Sequence, residues 1–198
     1  MSAGADGGGV HVLHTPRLLL RPAGPGDVPA LARFVADNRE HLAPFFPGAG
    51  PAVLDAAFWE ARVEENRREA ERGEAVRLLV LARDAPGAVL GMVDLTAIVR
   101  GLTHSCSLGY GVAAEAQGRG IAAEAVGAAV EHAFGPLGLH RVAATYAAHN
   151  HRSGALLKRL GFTVEGYARD YLYVDGRWED HVLAARLNPA WRPWREQR

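Results

Sequence analysis

Apolar residues recur along this chain with two different periods, and each change of period marks a new element. Leu18-Leu19-Leu20-Arg21 is a short apolar run and predicts a first strand. Asp27 precedes Val28-Pro29-Ala30-Leu31, which reads as a capped helix with proline in its first turn, continuing to about Asp37. Residues 38–50 read as irregular, with Pro44, Pro47 and glycines at 48 and 50. A longer helix is predicted from about Val53 to Arg72. There Phe58, Arg62, Glu65 and Glu69 recur at helical spacing, and Gly73 supplies a stop.

Strand-type segments follow. Val76 to Arg83 is apolar and ends in the turn Asp84-Ala85-Pro86-Gly87; Val89 to Val99 and Ser105 to Val112 are further strands. From Ile121 to Phe134 the period returns to helical, with Ala122, Val126, Ala129, Val130 and Ala133 on one stripe. Its alanines suit close packing on a sheet. Arg141 to Ala147 predicts a strand and Ser153 to Leu160 a short helix ending at Gly161. Phe162 to Tyr173 and Arg177 to Leu187 predict a hairpin turned by Asp175-Gly176. This order predicts an α+β fold with a mixed, mostly antiparallel sheet. A parallel pair is expected where Ser105–Val112 and Arg141–Ala147 flank the crossover helix.

Composition narrows the function. The chain has 198 residues, enough for one domain with a sizeable core, and residues 10–198 are read as that domain. Residues 1–9 are small, polar and glycine-rich, unlike a signal peptide, and read as a disordered tail. Lys plus Arg equals Asp plus Glu, 22 against 22, which argues against nucleic-acid binding by bulk electrostatics. No apolar run approaches the length of a membrane span. Cys106 is the one cysteine, so neither an intramolecular disulfide nor a cysteine metal cluster is expected. The nine histidines show no metal-ligand spacing, and no metal is expected. The composition is compatible with the cytoplasm.

One segment carries chemistry. After the strand that ends at Tyr110-Gly111-Val112 comes Gln117-Gly118-Arg119-Gly120-Ile121-Ala122, where a helix opens. Gly118 and Gly120 remove Cβ atoms from the turn, and the new helix presents unpaired N–H groups and a partial positive charge. Such a turn can cradle a phosphate, or it can merely redirect the chain. It has neither the Gly-Lys-Ser/Thr of a Walker A loop nor the Gly-x-Gly-x-x-Gly of a dinucleotide fold. Further on, Asn150 and Ser153 stand at the start of the short helix, where either can cap it.

The spacing Gln117-x-x-Gly120-x-Ala122 resembles the segment with which GCN5-related N-acetyltransferases (GNAT) grip the pyrophosphate of acetyl-CoA. Asn150-x-x-Ser153, followed by Leu160-Gly161-Phe162, is similar to the acetyl-CoA site of the RimJ/RimL group. Leu139-His140-Arg141, Glu165-Gly166-Tyr167-Ala168, Asp170-Tyr171-Leu172 and Asp180-His181-Val182-Leu183 look like its RimJ branch. The likeness runs from about Gly91 to Leu187. It is looser at the front, through Thr15-Pro16-Arg17-Leu18 and Asn38-Arg39-Glu40-His41-Leu42.

The resemblance implies a GNAT fold of about seven strands whose central parallel pair splays to admit the pantetheine arm of acetyl-CoA. It also implies direct acetyl transfer, in a ternary complex, to the N-terminal amine of a ribosomal protein, alanine of S5 in the RimJ branch. Backbone groups of Tyr110, Gly111 and Val112 would pair with the pantetheine, and the Val112 N–H would polarise the thioester carbonyl. Residues Gln117, Gly118, Arg119, Gly120, Ile121 and Ala122 would hold the diphosphate, with Asn150 and Ser153 beside the cofactor. Ser153 would protonate the departing thiolate, with Tyr167 and Tyr171 as alternatives. Arg119, Arg152 and Arg159 are candidates for CoA phosphates. Glu40, Asp94 and Asp170 are candidate bases, each equally readable as a surface or structural carboxylate. Cys106 reads as a small buried hydrophobe. Acetylation of a small amine or antibiotic, and a non-catalytic acyl-CoA-binding module, remain as alternatives.

Overall fold

A computed structural model of the chain describes residues 12–43, 55–174 and 176–192. Among these residues eight strands form one sheet in the order β1-β2-β3-β4-β5-β6-β8-β7. They are β1 Leu13–His14, β2 Leu18–Arg21, β3 Val76–Ala82, β4 Val89–Val99, β5 Ser105–Val112, β6 Arg141–Ala147, β7 Thr163–Val174 and β8 Arg177–Leu187. All neighbours are antiparallel except β5 and β6. Four α-helices accompany them among the described residues: α1 Val28–Leu42, α2 Ala56–Glu71, α3 Ile121–Phe134 and α4 His151–Arg159.

Strand β3 is buried on both faces. Val76, Leu78 and Val80 of β3 join the cluster that holds Ala125, Val126, Ala129, Val130 and Ala133 of α3. The alternate residues Leu79 and Leu81 join Trp59 and Val63 of α2. This two-residue alternation puts helices on opposite sides of one strand. Those five α3 residues are fully buried, and the small ones let the helix axis come close to the sheet; Ala125 takes the place expected for Ala122, which is only half-buried and lines the cleft described below. Each apolar side chain of Val or Leu size contributes roughly 1.5–3 kcal/mol by leaving water.

Two expectations need correction. Helix α1 does not stop near Asp37 but runs to Leu42, so the irregular reading of residues 38–42 fails. Asn38 explains the extension. Its side-chain amide donates to the Phe34 carbonyl one turn back at 2.8 Å, and the residue is buried. An asparagine satisfied in this way has no need to break the helix. The short helix α4 opens at His151, two residues before Ser153, because Asn150 caps it. The eighth strand is the two-residue β1, which pairs with Leu19 and Leu20. The start of the long helix is described from Asp55, whose carboxylate accepts from the Ala57 N–H. Pro44, Pro47, Val53, Asp175 and the 1–9 tail lie outside the described residues.

Candidate active site

Strands β5 and β6 pair only through their first halves, from Ser105–Arg141 to Leu108–Ala144. Beyond that point β5 remains bonded to β4 as far as Val112, and β6 to β8 as far as Ala147. The two strands therefore part, each held by its outer neighbour. The hydrogen-bond alternation of an antiparallel ladder then fixes where the freed backbone points. Ala113 donates to the Leu90 carbonyl at 2.8 Å, so residues 90 and 113 form a bonded pair. Val112 and Tyr110, in the pairs that alternate with bonded ones, turn their N–H and C=O groups away from β4 and into the gap. On the far side the Ala148 N–H donates to the Asp180 main-chain carbonyl at 3.0 Å, which by the same rule turns Thr145 and Ala147 into the gap.

The gap opens into a cleft of about 1170 Å³. Tyr110, Gly111 and Val112 line it, as do Gln117, Gly118, Gly120, Ile121, Ala122, Asn150 and Ser153. So all but one of the residues expected to hold acetyl-CoA line one cavity. Arg119 is the exception. It is exposed and outside the lining, and its carbonyl accepts from Arg17 Nη1 at 2.8 Å.

Glycine is required in the turn for its backbone. Gly118 has φ +69° and Gly120 φ +77°, the left-handed region that residues with a Cβ avoid. Gly120 is the N-cap of α3 and brings no side chain to its first turn, so the opening amides stay available. This loop is anchored from below. Arg17 donates through its backbone N–H and Nε to the two oxygens of Glu124, at 2.9 and 2.6 Å, and Thr15 adds a 2.6 Å bond. Burial alone would raise the Glu124 carboxyl, but the bonds from Thr15 and Arg17 hold it below the usual range. The turn before the loop is fixed by Asn38, whose carbonyl oxygen accepts the Ala114 N–H at 2.8 Å.

At the opposite wall Asn150 accepts the Ser153 N–H at 3.1 Å and caps α4. Capping and lining the cleft are thus compatible in one side chain. Ser153 Oγ lies 2.7 Å from the Tyr110 hydroxyl. Burial pushes the Tyr110 phenol above its ordinary value, with the Ser153 bond pulling the other way. The sequence reading used only the Tyr110 backbone and missed this hydroxyl.

The other tyrosines and the three carboxylates stand elsewhere. Tyr167 and Tyr171 are outside the cleft lining, and the Tyr167 hydroxyl donates to Asp180 at 2.5 Å. Glu40 is exposed on α1. Asp94 lies on β4 against Arg77 at 3.2 Å; burial raises its carboxyl, with Arg77 opposing. Asp170 is exposed in a bulge of β7 with φ +47°, its N–H bonded to Asp180. None of the three lines the cleft. Of the candidate arginines, Arg152 and Arg159 do. His41, His149 and His151 also line it and had gone unmarked.

Comparison with known proteins agrees with this arrangement. Residues 17–163 match the model of the acetyltransferase (GNAT) domain. The [ribosomal protein uS5]-alanine N-acetyltransferase of Escherichia coli (strain K12) is 38% identical over 183 residues, covering 92% of this chain and 94% of that protein. The crystal structure of ribosomal-protein-S5-alanine acetyltransferase from Vibrio fischeri superposes with a TM-score of 0.87 at 31% identity, over 92% of this chain and all of that one. Mycobacterium smegmatis RimJ in complex with CoA-disulfide gives 0.82 at 31% identity, over 90% of this chain and 86% of that one. The chain belongs to the GNAT family of N-acetyltransferases.

Proposed function

We propose that this protein acetylates the N-terminal alanine of ribosomal protein uS5, taking the acetyl group from acetyl-CoA as the family does. The observation that carries the reading is the parted β5–β6 pair, whose free backbone groups lead to the open amides of α3. Identity of 38% across 92% of the chain to an enzyme of that specificity supports the acceptor. The site's shape and donors fit the cofactor: a narrow gap edged by strand backbone suits an amide-bearing arm, and uncapped helix amides suit a diphosphate.

Acetyl-CoA supplies the acetyl group as a thioester. Tyr110 and Val112 would hold its arm as a strand edge does, and the Val112 N–H would polarise the thioester carbonyl, where charge develops. Gln117, Gly118, Gly120, Ile121 and Ala122 hold the diphosphate. Ser153 delivers a proton to the departing sulfur, and Tyr110, whose phenol stays protonated at neutral pH, backs it through their shared hydrogen bond. The acceptor needs little help. An α-amine has a pKa of about 7.7–8.0, so a useful fraction is already neutral at pH 7.

Mass spectrometry of peptides incubated with acetyl-CoA tests the acceptor. A peptide with the uS5 N-terminal sequence should gain one acetyl group on its α-amine. Turnover confined to free small amines would reject the peptide acceptor. Tight CoA binding without turnover on any acceptor would favour a binding module.

A further inference from the structure

Gln117 is held from both sides of the cleft. Arg152 Nη1, on α4, lies 2.7 Å from Gln117 Oε1. His41 Nε2, on α1, lies 2.6 Å from Gln117 Nε2. The three side chains span the cavity from the last turn of α1 to the first turn of α4.

The donors in this chain admit one arrangement. A guanidinium has only donors, so the carbonyl oxygen of Gln117 must face Arg152. Reversing the amide would set its NH2 against a cation with nothing to accept. The Gln117 NH2 therefore faces His41 and donates, and His41 Nε2 must be the acceptor. An imidazole that accepts at Nε2 carries its proton on Nδ1 and is neutral. Arg152 thus sets the tautomer of a histidine on the opposite wall.

We propose that His41 is a positioning residue for Gln117, held as the Nδ1–H tautomer, and that the His41–Gln117–Arg152 clip fixes the loop ahead of α3 in its ligand-receiving shape. This deepens the proposed function and rests on its assignment of the loop to the CoA diphosphate.

Two measurements on the full chain test the proposal. The first is the ring 15N spectrum of protein labelled at histidine, taken near pH 8. The signal lost in His41→Gln should belong to an Nδ1–H tautomer; an Nε2–H tautomer would overturn the proposal. The second is CoA affinity, read by calorimetry. His41→Leu removes the acceptor and should weaken binding about fivefold, the scale of one hydrogen bond. His41→Gln restores an acceptor and should return affinity to within about twofold of the parent. Equal affinity in all three proteins, or equal loss in two folded variants, would overturn the clip. If the parent protein binds no CoA, the assignment of the loop fails, and the tautomer still decides the geometry of the clip.

Discussion

The hydroxyl of Tyr110 on β5 and the Oγ of Ser153 on α4 meet at 2.7 Å beside the gap where β5 and β6 have parted. The bond links the two walls, and in the proposed reaction the thiolate leaves beside it. Ser153→Ala should lower kcat by about 10- to 100-fold, at or below the usual range for general acid–base catalysis. CoA affinity should stay within about threefold. Tyr110→Phe should lower kcat less, because Ser153 keeps its own hydroxyl. Steady-state kinetics with separate CoA titrations check both.

Gly91 marks how closely β4 approaches β5 behind the gap. A Cβ at this position would lie 2.5 Å from the Gly111 carbonyl oxygen and 3.2 Å from Val112 Cα. Both contacts are backbone, so no side-chain rotation relieves them. Gly91→Ala should cost about 1–3 kcal/mol of stability in urea unfolding. It should also reduce kcat/KM more than a distant variant of equal stability, because the displaced segment carries the Val112 N–H.

Acid should loosen the turn that leads into α1 through Asp27, whose side chain makes no capping bond to the helix itself. Its carboxylate takes a two-pronged bond from Arg21, with both distances 2.7 Å, and accepts the Gly24 N–H at 2.7 Å. The hydrogen bond from Arg21 holds the Asp27 carboxyl below its ordinary range. A lowered native pKa stabilises the fold above the unfolded value, about 3.9, and that contribution fades as pH falls through the native value. Stability should therefore drop more steeply in the parent than in Asp27→Asn between about pH 5 and pH 3, measured by urea unfolding. At pH 7 the variant should be less stable by about 1–2 kcal/mol.

Cys106 should be inert. It sits on β5 with 2% of its surface exposed, and burial pushes its thiol up to about 12. Iodoacetamide at pH 8 should leave it unmodified in folded protein and label it in denaturant. Cys106→Ala should retain catalysis, read by the same kinetic assay.

What the sequence revealed was local. The α3 stripe, the strands from Val76 to Leu187 and the glycine turn at 118–120 are each written in neighbouring residues. They emerged with nearly correct bounds. The parting of β5 and β6 came only from resemblance, since no periodicity encodes where a ladder stops. The missed contacts join residues far apart in the chain: Tyr110 with Ser153, Asn38 with Ala114, His41 with Gln117 and Arg17 with Glu124. Asn38 reads as part of the irregular stretch because its partners, Phe34 and Ala114, are brought to it only in the folded chain. Glu40, Asp94 and Asp170 were chosen by residue type. Type alone did not reveal that Asp94 faces Arg77 or that Asp170 occupies a bulge.

The central claim is that the parted strands and the turn at residues 118–122 receive CoA. Titration of 15N-labelled protein with CoA, followed amide by amide, tests it directly. The largest shifts should fall on Gly118, Gly120, Ile121 and Ala122, with a second group on Tyr110, Gly111 and Val112. A spectrum that does not move at millimolar CoA, or shifts confined to other strands, would contradict the account.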